Sequence, residues 1–312
     1  MVDKRATRHG FYDGLVALAG NHEEIFAVDA DLGSATGSHL FKKAFPERYI
    51  DVGIAEQNLI GISAGLARVG LVPFCSSMAV FVTGRGFEII RNAVAYSHIN
   101  VKIVGSHTGI TAAGDGGSHQ AIADLAVMRA LPNMVVLSPC DYHQAAKMAL
   151  LMYEHDGPVY VRTSREPVED VTSVQDDLQL GKAQKLRTGK DVCIIATGMM
   201  TVLACKAAQL LAHEDIQASI LNIHTIKPLD TETIGIEVLA CGGHVVVCEE
   251  ANVYGGLSEA VATALVEDND IIFERVAIED RFGQSGSTEV LLEEYGITPE
   301  AIVRKARRAV RR

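Results

Sequence analysis

Short runs of apolar, β-branched residues alternate along this chain with longer stretches in which apolar positions recur at helical spacing. In the first half the runs are "EIFAVDADL", "VPFCSS", "NVKIVGSH", "NMVVLSP" and "PVYVRTS"; in the second they are "DVCIIATG", "QASILNIHTIKPLD", "GHVVVCEE" and "FERVAIED". Continuous rather than alternating apolarity means strands covered on both faces, and the helical stretches between them supply the covers. The pattern therefore predicts an α/β chain built on parallel sheets. Between the two sets, Glu166 to Asp191 is polar and rich in turn formers, which reads as the connection between two α/β domains.

The length of 312 residues suits two domains, and 48% apolar residues suffice for full cores. A net charge of −11 argues against a general nucleic-acid or anionic-membrane binder. The one basic run, Arg304 to Arg312, suits the end of a helix, where cations meet the negative end of the dipole. Six cysteines stand far apart with no CxxC pair, as expected of reduced thiols in a cytoplasmic protein. "MVDKRATRHG" is too polar for a secretion leader, and no apolar run approaches the length of a membrane span.

Ligands of open parallel sheets bind beyond the carboxyl ends of the strands. There the first half gathers most of the titratable residues. "GSHTGITAAGDGGSHQ" combines Gly105, Gly109, Gly114, Gly116 and Gly117 with His107, Asp115 and His119: a ligand loop, or a polar surface loop with Ser118 capping the next helix. "RTSREP" sets Arg162 and Arg165 at a strand end, as forks for phosphate or carboxylate or as salt-bridge partners. His98, His107 and His119 lack metal-ligand spacing, "GRGFEI" lacks the third small residue of a dinucleotide loop, and no P-loop is present. In "DVGIAEQNLIGISAGLA", Glu56 stands at the mouth of an apolar, small-residue helix. It is either a dipole-favoured first-turn carboxylate or a buried acid that hydrogen-bonds a ligand's ring nitrogen.

The motifs "ATR", "DVGIAEQN", "SSMAVFVTGRGFEIIRNAVAY", "GSHTGITAAGDGGSHQ" and "VRTSRE", in this order, resemble the transketolase family, in particular the C-terminal half of a transketolase encoded as a separate subunit. The resemblance implies a pyrimidine-binding domain over 1–185 and a transketolase C-terminal domain over 186–312, each a three-layer parallel-sheet α/β unit. It implies thiamine diphosphate as cofactor. Glu56 would be the catalytic acid on the pyrimidine N1′, sharing its proton from an apolar pocket, and Met78, Phe81 and Phe87 would pack on the ring. His107 and Asp115 would meet the sugar's hydroxyls and carbonyl, His107 also serving catalysis. Arg8, His119 and Arg165 would hold the anionic end of a phosphosugar. Gly114 stands where the family often has an acid, and Ala35 where it has a serine.

The family's diphosphate signature, GDG with a later asparagine, is not matched, because Asn133 follows "GDGG" too closely and in the wrong context. The resemblance therefore implies an N-terminal partner subunit carrying that motif and holding Mg²⁺ or Ca²⁺, with no metal ligand on this chain. Two copies of each subunit would form a heterotetramer, and this chain alone would be inert. The implied activity is transfer of a two-carbon ketol unit between phosphorylated sugars. The alternatives are a β-subunit of a 2-oxoacid dehydrogenase first component, half of a deoxyxylulose-phosphate synthase, and a non-catalytic α/β scaffold or regulatory subunit.

Overall fold

The computed structural model describes residues 4–266 and 270–311. Its strands, in chain order, are β1 (Lys4–Ala6), β2 (Ile25–Asp29), β3 (Tyr49–Asp51), β4 (Val72–Met78), β5 (Lys102–Ser106), β6 (Val135–Leu137) and β7 (Val159–Arg162). There follow β8 (Pro167–Glu169), β9 (Gln184–Arg187), β10 (Val192–Ala196), β11 (Ala218–Asn222), β12 (Thr225–Lys227), β13 (His244–Asn252) and β14 (Ile272–Ile278). A seven-stranded sheet runs β12-β6-β7-β5-β4-β2-β3, and a five-stranded sheet runs β14-β13-β10-β11-β9. The inner strands pair in parallel, as the unbroken apolar runs predict; every residue of β4, β5, β7, β10 and β11 is buried.

Two edges depart from the parallel pattern. β9 lies antiparallel on β11, and β12 lies antiparallel on β6. The second pairing corrects the reading of "QASILNIHTIKPLD" as one second-domain element. Its first part is β11 in the second sheet, while Thr225–Lys227 crosses over to complete the first. The polar connection also holds more order than its composition suggests, since β8 pairs with β1 and β9 belongs to the second sheet. A division at 185/186 falls inside β9.

One apolar cluster runs through both sheets, from Val28 and Ile103 by way of Leu125 and Met128 to Ile195 and Val247. The two halves thus share a core, and the loops at the carboxyl ends of the first sheet rest against the second. In the closing helix Pro299–Val310, Lys305 and Arg308 pair with Glu274, and Arg307 with Glu214. Arg312, the last member of the basic run, lies outside the described residues. Among the described residues no helix is long and apolar enough to cross a membrane.

Candidate functional site

Parallel register brings the strand ends together: Met78 of β4 stands beside Ser106 of β5, and Gly105 beside Arg162 of β7. Glu56 opens the helix Glu56–Arg68 next to them, with its side chain 1% exposed. An ionised carboxylate at that depth needs partners. It has two: Ser77 Oγ donates to Oε1 at 3.2 Å, and Arg85 Nη1 donates to Oε2 at 3.2 Å. The expected apolar pocket is thereby corrected, since a hydroxyl and a guanidinium occupy the carboxylate's two oxygens. The Arg85 guanidinium lies 4.7 Å over the Phe81 ring, and Phe81 meets the His119 ring edge-on at 5.2 Å. Met78 is buried at the end of β4 in the same neighbourhood.

Phe87 is not brought to this group. It lines a separate cavity of about 520 Å³ with Arg91, Tyr96, Leu131 and Asn133. The backbone stays near-helical through Gly86, and six residues at about 100° each carry Phe87 to a different face from Phe81. On the open side of the Glu56 helix, a Cβ added at Gly61 or Gly65 would meet nothing within 4 Å.

The second group is built from three loops and the first turn of the helix Thr7–Ala19. Asp29, at the end of β2, gathers Leu32 N (2.6 Å), Thr36 Oγ1 (2.9 Å) and Ser38 Oγ (2.8 Å). The turn so fixed points the Ala35 carbonyl at Arg8, whose Nη1 donates to it at 2.6 Å. The position lacking a hydroxyl therefore still contributes through its backbone. The same Nη1 lies 3.3 Å from His107 Nε2, and His107 Nδ1 lies 2.8 Å from Ser106 Oγ. Guanidinium can only donate, so Nε2 accepts, and Nδ1 carries the proton toward Ser106. Burial first, then the Arg8 and Arg165 charges, lower the His107 pKa to about 4, and this imidazole is neutral at pH 7.

Arg165 Nη1 donates to Asp115 Oδ2 at 3.0 Å and to the Ala112 carbonyl at 3.1 Å. Arg8 and Arg165 line one cavity of about 360 Å³ together with Lys4, Arg5, His9 and Tyr142, in which basic residues outnumber the one acid, Asp13, a balance suited to an anion. Thr7 aligns the two arginines' segments, as its hydroxyl accepts from Ser164 N at 2.7 Å. Burial and the nearby Arg165 charge both lower the Arg8 pKa, the response of two cations facing one space.

The structure thus joins Glu56, Phe81 and His119 through Arg85 on one side, with Met78 following Ser77 at the end of β4, and Arg8, His107, Asp115 and Arg165 on the other. Arg162 belongs to neither. It is buried in a two-pronged pair with Asp124 (2.7 and 3.1 Å), so of the two arginines in "RTSREP" only Arg165 is exposed to a ligand. Ser118 hydrogen-bonds the His119 ring at 2.9 Å and caps no helix. Arg85 escaped sequence reasoning because nothing in a 29-residue separation signals that it pairs with Glu56. Among the described residues, no group of three or more His, Cys, Asp or Glu could hold a metal ion.

Residues 3–170 match the model of the transketolase pyrimidine binding domain, and residues 181–302 match that of the transketolase C-terminal domain. The chain is 41% identical over 305 residues to a putative transketolase C-terminal section of Methanocaldococcus jannaschii, covering 96% of this chain and 95% of that protein. It is 42% identical over 311 residues to the 6-deoxy-6-sulfo-D-fructose transketolase subunit SqwH of Clostridium sp. (strain MSTE9), covering 100% and 96%. Human transketolase is 37% identical over 308 residues, but this chain spans only 49% of its length. Among solved structures, a split gene transketolase described as an inactive β4 tetramer superposes with a TM-score of 0.90, at 41% identity and 99% coverage of both chains.

Proposed function

Because this chain belongs to the transketolase family, as the C-terminal subunit of a split enzyme, we propose that it supplies the pyrimidine end of a thiamine diphosphate site and the sugar-recognition groups of a two-carbon ketol transferase. An N-terminal subunit carries the diphosphate motif and the divalent metal, Mg²⁺ or Ca²⁺, and two copies of each assemble in the cytoplasm. Near-complete coverage of relatives that are themselves separate subunits supports this division, as does the half-length match to the human enzyme. The bare Gly61 and Gly65 face of the Glu56 helix leaves room for a second chain's backbone.

One observation carries the reading: a carboxylate buried at a helix mouth, whose paired guanidinium lies over an aromatic ring. That donor set fits an aminopyrimidine, which needs an acid for its ring nitrogen and soft, flat surfaces for its faces. When bound, the cofactor supplies the carbon nucleophile and the electron sink. One carboxylate oxygen of Glu56 would share a proton with the ring nitrogen, so one of its present bonds, to Ser77 or to Arg85, must yield to the ligand. Met78 and Phe81 support the ring. Neutral His107 offers a hydrogen-bonding edge to a sugar hydroxyl or carbonyl without bringing charge. Asp115, anchored by Arg165, accepts from hydroxyls, and Arg8 and Arg165 face the anionic tail, while His119, expected with them, stands on the Phe81 side. Forked cations grip phosphate and sulfonate alike, so both kinds of ketose belong in the assay.

The test is reconstitution with a transketolase N-terminal subunit from the same genome. Wild type forms a complex that transfers a ketol unit, whereas Glu56→Ala assembles and does not turn over. Full activity of that variant removes the catalytic role of Glu56. Release of CO₂ from a 2-oxoacid, in place of ketol transfer, would reassign the subunit to an oxoacid dehydrogenase.

A further inference from the structure

The loop from His107 to Ala123 carries three of the proposed site residues, yet its own domain does not hold it alone. Glu250, near the end of β13 in the second half, inserts its side chain beneath the loop and accepts from Thr111 N at 2.7 Å. Only glycine fits above it. A Cβ at Gly109 would lie 2.1 Å from Glu250 Cδ, and Gly109 has φ +71°. The backbone carbonyl of Glu250 accepts from Arg162 Nη2 at 3.1 Å, and Arg162 is itself fixed by Asp124. A second hold lies farther along, where Gln120 Nε2 donates to Ile110 O (2.9 Å) and to Gln284 O (3.0 Å).

We propose that Glu250 is a positioning residue for the reaction: by holding the Thr111 amide from the second domain, it sets where His107 and Asp115 stand relative to the substrate. The second domain then takes part in substrate recognition without touching the sugar. The inference rests on the reading of this loop as the substrate loop. Its energetics follow from depth. Glu250 is 5% exposed, and an amide left facing that site without an acceptor loses a bond that water cannot replace. Burial pushes the Glu250 pKa up to about 7, opposed by the Thr111 N–H and the Arg162 charge. Arg162 is the charged side chain that faces it from β7, with Asp124 and Tyr160 behind Arg162, and Glu249 is its neighbour on β13. The acceptor strength at Thr111 therefore changes with pH near neutrality.

Hydrogen exchange on the full chain tests the hold directly. In Glu250→Ala, amides of 109–115 exchange about tenfold faster than in wild type, the effect of losing one charged hydrogen bond. Glu250→Gln keeps an acceptor oxygen and keeps the protection, but loses its dependence on pH between 6 and 8. In the reconstituted enzyme, Glu250→Ala raises the sugar KM about tenfold with a smaller change in kcat, and Gln restores it. Equal protection in wild type and Glu250→Ala overturns the proposal. Should the alanine variant not fold, Glu250→Asp decides: one methylene shorter, it must lose protection while Gln keeps it, and parity of the two overturns the proposal as well. A wild-type complex without ketol transfer would count against the proposed function, and the exchange result would still decide the role of Glu250.

Discussion

His107 offers the sharpest quantitative test, because its neutrality is built into its surroundings. Arg8 donates to Nε2 and Ser106 faces Nδ1, so adding a proton would set an N–H against a guanidinium inside a buried site. The folded pKa of about 4 lies below the ordinary 6.5, so the group contributes stability that is fully present above pH 6.5 and lost as pH falls toward 4. A displacement of this size corresponds to about 3 kcal/mol in all, of which about 2 kcal/mol is gone by about pH 4.5. Urea unfolding of wild type and His107→Gln at about pH 7 and 4.5 measures it. The variant should lose about 2 kcal/mol less between the two conditions, since glutamine keeps an acceptor for Arg8 and carries no proton. His224, which burial also lowers to about 4, is present in both proteins and cancels from the difference. Equal losses, or an NMR titration of His107 near its ordinary value, would refute the argument and reopen a cationic role for this side chain at pH 7.

Arg165→Ala should raise the KM for anionic sugars by about tenfold or more while kcat changes little, because the lost contacts grip the tail and not the reacting carbons; an unchanged KM counts against the assignment. Arg162→Met leaves Asp124 buried beside Tyr160 without its cation, and should cost about 3–5 kcal/mol by urea unfolding. A loss under about 1 kcal/mol would show that the pair is structurally idle. Gly109→Ala forces a Cβ onto the Glu250 carboxylate at a positive φ, and should lower the thermal midpoint by several degrees and raise the sugar KM. An alanine variant with wild-type melting and kinetics contradicts the close approach.

Local signals carried most of the architecture. Apolar runs gave the strands, and the glycine-rich stretch with its histidines and aspartate marked the loop that meets Arg8 and Arg165. What escaped were contacts made between residues remote in sequence. The Glu56 pocket looked apolar because its helix is, yet the compensating charge comes from Arg85 on another element. Phe87 looked like a ring-packing residue because it follows Phe81 in the same motif, but six residues along a near-helical backbone place it on another face, in a different cavity. Arg162 and Arg165 are indistinguishable by composition. Arg162 is the last residue of β7 and is buried against Asp124, whereas Arg165 lies beyond the strand end, at the rim. Nothing in "GHVVVCEE" distinguishes Glu249, which caps the helix Leu257–Leu265 through Leu257 N and Ser258 N, from Glu250, which reaches under the loop.

The crossing of Thr225–Lys227 bears on any attempt to dissect the molecule. A fragment stopped in the polar connection would end its larger sheet at β6, whose outer row of amides and carbonyls would be left without a mate. Such a product would seek a substitute ribbon from a neighbour and clump, however well its remaining residues were chosen. Genetic splitting of this protein at its most obvious seam is therefore a poor experiment, and the two halves are best regarded as having been stitched into one cooperative body.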